Sequence, residues 1–314
     1  MTGTKNIWYF IVNPRAGSGK AMSAWVPAEK KLQNLGIPFE TAMTSHKFHA
    51  SELAHDAAAA GYRRIIAVGG DGSLHECFNG IMRYCDENGA ASEEFLLGVV
   101  PIGSGNDWIK SMGVPNDVDK VLALIANESA GEMDVTKVTG AGGKTVYFAN
   151  GCGTGFDAHV CSRVNRQKEQ GMRGKLIYLD ALRYTISHLT PLNIKLLADG
   201  KEVFEGLCYS LAVGNGRYSG SGMRQVPLAE PDDGLLDYMI VPKVALRSIL
   251  KDLPRLFNGT VNESSVVLSG RCRCLQPVPL DAASEDIVEL DGEIECRLPA
   301  SIEVDGRRIR VIKG

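Results

Sequence analysis

The 314-residue chain has no apolar run long enough to cross a bilayer. Its longest apolar stretches, around residues 65–68 and 95–102, have strand length and carry or adjoin glycine. The run 7–12 is too short for a signal-peptide core and has no small-residue cleavage pattern after it. A cytoplasmic protein is expected. Net charge is also scarce, at -3, so there is no bulk attraction to nucleic acid or to an acidic surface. No nucleic-acid partner is expected. The eight cysteines include no Cys-x-x-Cys pair and no histidine at zinc spacing. The single close pair, Cys272-Arg-Cys274, falls on one face of a strand by alternation. Reduced core or surface thiols are expected. There is no internal repeat and no P-loop: residues 13–20 are Gly-rich, but the glycine spacing differs and Ala21 follows Lys20.

What remains is a globular composition, 44% hydrophobic and 23% charged, of a length that suits two domains. Residues 7–12, 39–44, 64–68 and 95–101 read as strands. They alternate with helical patterns at 21–35, 50–60 and from Leu74 onward. That alternation predicts an α/β domain with a mostly parallel sheet. From about Asp134 the pattern turns to short strands at 146–150, 203–213, 235–241, 266–268, 287–290, 301–304 and 308–312. Asp199-Gly200 and Asp305-Gly306 read as turns between antiparallel strands. Helices are expected at 175–189 and at 244–253, the second stopped by Pro254. The domains are expected at 1–131 and 132–314, with the last segment able to pack back on the first domain.

Three Gly-rich loops directly follow predicted parallel strands. Ligands of open α/β sheets bind beyond the carboxyl ends of the strands, so the three loops converge on one edge. The first is Asn13-Pro14-Arg15-Ala16-Gly17-Ser18-Gly19-Lys20. The second is Gly69-Gly70-Asp71-Gly72-Ser73, where three glycines let backbone N–H groups approach a phosphate. Asp71 suits a metal–phosphate site or a hydroxyl contact. It also suits a helix cap, with Glu76 in the first turn. The third is Pro101-Ile102-Gly103-Ser104-Gly105-Asn106-Asp107, where Ser104 offers a hydroxyl and Asn106 and Asp107 read as helix caps or site residues.

Together, Asn-Pro-x-x-Gly-x-Gly-Lys, Gly-Gly-Asp-Gly-Ser and Pro-x-Gly-Ser-Gly-Asn-Asp resemble the diacylglycerol kinase catalytic-domain family, which includes bacterial lipid kinases and sphingosine and ceramide kinases. The likeness continues through Asn150-Gly-Cys-Gly-Thr-Gly-Phe-Asp157, Gly214-Asn-Gly216, residues 230–237 and Asp291-Gly292-Glu293. It implies an ATP-binding α/β domain, a C-terminal β-sandwich-like domain and an active site between them. It implies ATP contacts from Asn13, Pro14, Arg15, Ala16, Gly17, Thr44, Gly70, Asp71, Gly72, Ser73, Leu74, His75, Glu76 and Ser104. Ser73 and Ser104 stand where the family often has threonine and keep the hydroxyl. His75 stands where asparagine or histidine occurs, and a hydrogen-bonding role is expected for it.

Asp291-Gly-Glu293 looks like a strand interrupted by glycine, and alternation then puts both carboxylates on one side. A routine turn is the other reading. The resemblance implies carboxylates near the acceptor hydroxyl, with Glu293 first as proton acceptor, Asp291 second and Asp71 third. Residues 230–235 resemble the structural magnesium loop of bacterial members, with Asp233 giving its carboxylate and Glu230 and Leu235 backbone oxygens. Asp107 and Asp134 match acidic positions tied to that region through water.

The resemblance implies an ATP- and Mg²⁺-dependent kinase acting on a lipid hydroxyl at a membrane surface, with peripheral contact only. No regulatory module of the C1 or PH kind is present in the sequence. Apolar residues near 176–189 and 246–257 can line an acyl slot or form ordinary core. Two alternatives stand beside this reading: a soluble-substrate kinase of the NAD kinase type, and a silent nucleotide- or lipid-binding protein.

Overall fold

Strand β1 (Lys5–Val12) opens a repeating strand-then-helix order. It is followed by a single distorted turn α1 (Ala16–Gly19), α2 (Ala21–Asn34), β2 (Phe39–Met43), α3 (His49–Ala59), β3 (Tyr62–Gly69), α4 (Asp71–Asn88), β4 (Leu96–Pro101), α5 (Asp107–Ser111), α6 (Val118–Ala126) and β5 (Ala130–Thr139). A computed structural model of the chain describes residues 4–103, 105–172, 175–281 and 286–314, with the side chains of 175, 176 and 250 left aside. Its contacts divide the chain into two units. One holds residues up to Val135 together with Gly306–Gly314, and the other holds Thr136–Asp305.

In the first unit β1 to β4 are parallel, in the order β2-β1-β3-β4. The carboxyl-terminal part of β15 (Ser301–Ile312) adds parallel to β4 through Arg310 and Val311. Ile65, Ile66, Ala67 and Val68 are fully buried, because helices cover both faces of this sheet. Burying each such aliphatic side chain contributes about 1.5–3 kcal/mol. Trp25, Phe78, Ile81 and Trp108 complete the core from the helices.

The second unit continues with β6 (Thr145–Phe148), β7 (Gly151–Gly155), α7 (Phe156–Glu169), α8 (Lys175–Ser187), β8 (Leu192–Ala198), β9 (Lys201–Gly214) and β10 (Leu236–Pro242). Then come α9 (Leu246–Asn258), β11 (Leu268–Cys272), β12 (Cys274–Pro279), β13 (Ile287–Leu290), β14 (Glu293–Arg297) and β15. Its strand pairs are antiparallel, and β9 serves as the hub for β7, β8 and β10. Phe148, Ile194, Leu211, Val213, Leu275 and Val288 meet in one shared core. Six of the eight free cysteines are buried and two are half-buried.

Several local signals resolve differently from their sequence reading. Asp305-Gly306 does not reverse the chain: β15 continues through it, with Gly306 at a left-handed φ of 92°, and pairs with β12 at Ile302 and Glu303 and with β4 at Arg310. Pairing on both sides outweighs the local Asp-Gly preference, and Lys137 Nζ holds the Asp305 carboxylate at 2.8 Å. Pro254 does not stop α9, which continues to Asn258 and ends at left-handed Gly259. The turn after the proline is kept in place by Leu256, which packs on the cluster formed by Ala212, Val226, Ala229, Met239 and Val261. Gly-rich β7, for which the sequence gives no element, is a strand between β9 and β13. Added Cβ atoms at Gly153 and Gly155 would sit 2.8 and 2.5 Å from carbonyl oxygens of β9.

Candidate active site

The three glycine loops of the first unit are seated on one another. Asn13 donates from its backbone N–H to Val68 O at 3.0 Å, and its side-chain oxygen accepts from the Arg15 N–H at 2.9 Å. Its amide Nδ2 reaches Ser73 Oγ at 3.4 Å, linking the first loop to the second. Pro14 and Ala16 are half-buried and Arg15 is exposed. Gly17 and Ser18 take left-handed conformations. A Cβ at Gly17 would stand 2.5 Å from Ile102 O, so the first loop also touches the third. Gly69 O accepts from the N–H groups of Ile102 and Gly103 at 2.7 and 3.0 Å. A Cβ on Gly103 would lie 2.5 Å from the Gly70 Cα, so the backbones of the second and third loops touch directly. Thr44 closes β2, with its N–H on Val12 O at 2.9 Å. Ser104 lies outside the described residues.

The polar residues that follow Gly70 have defined neighbours. Asp71 is the first residue of α4 and does not cap it. Its carboxylate instead accepts the N–H groups of Asp107 at 3.1 Å and Trp108 at 3.2 Å, which open α5. Glu76, one turn on, accepts the N–H groups of Phe48 at 3.1 Å and Ala50 at 3.0 Å, which open α3. One helix thus caps two others, and each charge sits at the positive end of a helix. The cap expected within α4 is therefore made to its neighbours. Leu74 and His75 are buried, and Asn79 Nδ2 lies 3.3 Å from His75 Nε2. Gly72 and Ser73 form the first turn of α4, whose Ser73 N–H bonds Gly70 O at 3.0 Å.

In the second unit, Asp291-Gly292 is the two-residue turn of the β13–β14 hairpin, with Leu290 opposite Glu293. Asp291 (φ 50°) and Gly292 (φ 92°) are both left-handed, as such a turn requires. The expected same-face relation of Asp291 and Glu293 therefore does not apply, since Asp291 is not in a strand. Its carboxylate accepts three backbone N–H groups, from Ala149 at 2.7 Å, Asn150 at 2.9 Å and Gly151 at 3.0 Å. Glu293 begins β14, half-buried, with its charge close to the Cys161 thiol. Burial pushes that thiol up, and Glu289 and Glu293 add to the push.

In the loop 230–235, the Asp233 carboxylate accepts the Leu235 N–H at 3.0 Å and is paired to Arg271, whose Nε also holds Asp237 at 3.0 Å. Glu230 faces Arg217 at 3.2 Å. Asp107 is paired to Lys110 at 2.7 Å and Asp134 to Arg308 at 3.2 Å. Among the described residues, no three His, Cys, Asp or Glu side chains group to hold a metal.

Two side chains of the quoted motifs take a particular setting: Asn106, which reads as a cap or a site residue, and Asp157, to which the sequence gives no role. Asn106 (φ 50°) is buried, and its Nδ2 donates to Gly103 O at 3.0 Å and Asn116 Oδ1 at 3.1 Å. Those two bonds fix the amide's orientation and leave Oδ1 as a buried acceptor with no hydrogen-bond partner, beside Gly70. Asp157, in the first turn of α7, accepts from Ser210 Oγ at 2.5 Å and Gln225 Nε2 at 3.0 Å. Burial raises its carboxyl above the usual range, against those two donors. The signal for Asn106 was its place in the third loop, and the signal for Asp157 was its place at the end of the Gly-rich run 150–157.

The fold and these loops define a two-domain α/β protein that presents packed backbone loops at a parallel-sheet edge. Residues 7–138 match the diacylglycerol kinase catalytic domain, and residues 150–313 match the YegS C-terminal NAD kinase beta sandwich-like domain. A diacylglycerol kinase of Mycobacterium tuberculosis is 27% identical over 304 residues, covering 96% of this chain and 94% of its own. A Xanthomonas axonopodis pv. citri protein named "Probable lipid kinase YegS-like" is 30% identical over 308 residues, covering 97% of this chain and 95% of its own. A solved structure of a diacylglycerol kinase from Bacillus anthracis superposes with a TM-score of 0.70 at 23% identity, over 98% of this chain and 97% of that one. That likeness concerns the fold. The chain belongs to the diacylglycerol kinase catalytic-domain family, with a parallel α/β domain followed by a β-sandwich-like one. No helix among the described residues is long and apolar enough to cross a membrane.

Proposed function

We propose that this protein is an ATP-dependent lipid kinase that moves the γ-phosphate to a lipid hydroxyl, with diacylglycerol the first candidate acceptor. The observation that carries the reading is the close seating of the three loops: Gly103 on Gly70, Gly17 on Ile102 and Asn13 on Ser73. Loops without side chains in the way, set at the start of the 18-residue helix α4, offer backbone N–H groups and a positive helix end to phosphate oxygens. Phosphoryl transfer asks chiefly for such positioning and charge neutralisation. Membership of the kinase family and the names of the relatives support the lipid acceptor.

Magnesium, when bound, supplies positive charge to the transferring phosphoryl oxygens. The first unit fits that ion: Asn106 Oδ1 is a buried oxygen acceptor without a partner, and Asp71 lies on the adjoining loop. Hard oxygen ligands suit Mg²⁺, and a carboxylate that accepts N–H bonds can also hold a cation. The loop of Glu230, Asp233 and Leu235 fits less well, because the Arg271 guanidinium already fills the cationic place at Asp233. No step is derived through it.

For the proton of the attacking hydroxyl we assign Glu293, with Asp291 behind it. Asp291 spends its oxygens on three N–H groups and so holds the turn 149–151. Asp71 organises: it ties the second loop to the start of α5. Thr44 and Arg15, at the strand ends beside the loops, are assigned to the nucleotide.

The test is transfer of labelled phosphate from ATP to a panel of diacylglycerol, sphingosine, ceramide, phosphatidylglycerol and NAD, with the lipids in mixed micelles. A labelled lipid is expected. Label on NAD alone, or on nothing, overturns the reading. Asp71→Ala should abolish transfer in a folded protein, at a stability cost of about 0.5–2 kcal/mol for the lost cap. Near wild-type transfer in that variant would sink the site assignment.

A further inference from the structure

Helix α9 wears part of its apolar side outward. At about 100° per residue, Leu246, Leu253 and Phe257 fall along one stripe. They are 40, 40 and 63% exposed. Of the two readings of this segment, acyl slot or ordinary core, the core reading holds for Leu256, which packs on the cluster that includes Ala212 and Met239, and not for the exposed stripe. Beside the stripe stand the exposed cations Arg247 and Lys251, with Lys243 just before the helix. The one acid of the helix, Asp252, is occupied by Arg255 and Ser264. Among the described residues, the outer face of α9 therefore carries apolar and cationic groups and no acid.

We propose that α9 is an interfacial helix that seats the protein on an anionic phospholipid bilayer. An apolar stripe bordered by Lys and Arg is the pattern that lies in the headgroup boundary. The cations choose the occupant: the centre of a protein–protein interface is depleted in lysine, whereas an anionic leaflet attracts each nearby cation. The chain as a whole carries -3, so the attraction must be local, as it is here. Such docking serves the lipid-kinase reading, on which its purpose rests, but the binding itself is measurable without ATP or acceptor.

The experiment is cosedimentation with vesicles of phosphatidylglycerol in phosphatidylcholine, against pure phosphatidylcholine, in the absence of nucleotide. The wild-type protein should bind the anionic vesicles, and binding should weaken with salt. The double variant Leu253→Glu, Phe257→Glu should lower partitioning roughly tenfold or more, since it removes buried apolar area and adds repulsion. Arg247→Ala and Lys251→Ala should each cost roughly fivefold, on anionic vesicles only. Both sets should keep the wild-type unfolding midpoint and wild-type phosphorylation of a short-chain diacylglycerol dissolved below its micelle concentration. Wild-type indifference to anionic lipid, or unchanged binding by the double variant, overturns the proposal. So does a dimer that the double variant abolishes while vesicle binding persists. If vesicle binding behaves as expected while the dissolved acceptor is not phosphorylated even by the wild type, the kinase reading falls and the docking surface stands.

Discussion

The two units spend their special residues differently. At the loops of the first unit, glycine provides room: Gly103 and Gly70 touch backbone to backbone, where a Cβ has no space. At the Asp-Gly hairpins of the second unit, glycine provides a dihedral angle: Gly200 (φ 76°) and Gly292 (φ 92°) have nothing within reach of an added Cβ. The acids differ in parallel. Asp71 and Glu76 hold the starts of other helices, and Asp291 holds a turn. An acid that only stitches backbone together is tied to stability, an acid assigned to chemistry is tied to rate, and Asp71, which also stands in the glycine loops, is tied to both. The two can be separated by measurement.

The sharpest separation is within one hairpin. Glu293→Gln should lower kcat by roughly 10²–10⁴-fold, the usual worth of a positioned general base. Its unfolding midpoint should stay at the wild-type value. Asp291→Asn should do the reverse, costing about 1–3 kcal/mol because an amide NH₂ then faces backbone donors. Equal kinetic losses with no change in stability would erase the distinction between the two carboxylates.

The glycine contrast gives the next effect. Gly103→Ala should destabilise by about 1–3 kcal/mol through forced overpacking, and should raise KM for ATP. Gly292→Asn should cost less, about 1 kcal/mol, because the side chain meets no neighbour and asparagine bears the left-handed φ better than other residues. Urea unfolding of both variants checks this, and a neutral Gly103→Ala would show that the loops are not packed on one another.

Much of this was legible because the signals are local. The parallel order of the first unit follows from buried runs such as Ile65–Val68 between helical segments, and Asp199-Gly200 makes the turn that its sequence announces. It closes β8 onto β9, with the Asp199 carboxylate accepting from the Arg273 and Cys274 N–H groups at 3.0 Å each. The misreadings share a cause. Asp305-Gly306 carries the same dipeptide, and Gly306 takes a left-handed φ of 92°, yet pairing with strands far along the chain on either side keeps it within β15. Asp71 reads as a cap for its own helix, yet the N–H groups it serves lie 36 and 37 residues away. β7 goes without a strand signal because its glycines Gly153 and Gly155 answer to the carbonyls of β9. In each case the deciding partner is remote in sequence and has no trace in the local pattern.

The smallest expected effect concerns Asp157, an acid that fits neither class. It is held by Ser210 and Gln225 and joined through Gln225 to Ser219, whose Oγ donates to Gln225 Oε1 at 2.6 Å. Burial raises its carboxyl above the ordinary value, so the folded protein holds this proton more tightly than the unfolded chain does. Its contribution to stability is therefore complete below the ordinary aspartate value of about 3.9. It is lost as pH rises through the higher folded value. Asp157→Asn removes that titration, while its amide can accept from Gln225 and donate to Ser210. At pH 7 the variant should match or exceed wild-type stability, by something on the order of 1 kcal/mol. The advantage should shrink as pH falls below that of the folded carboxyl. Thermal unfolding of both proteins from pH 4 to 8 measures the difference. A difference that stays flat across that range would mean that Asp157 does not titrate in the folded protein, and that its bonds to Ser210 and Gln225 offset its burial.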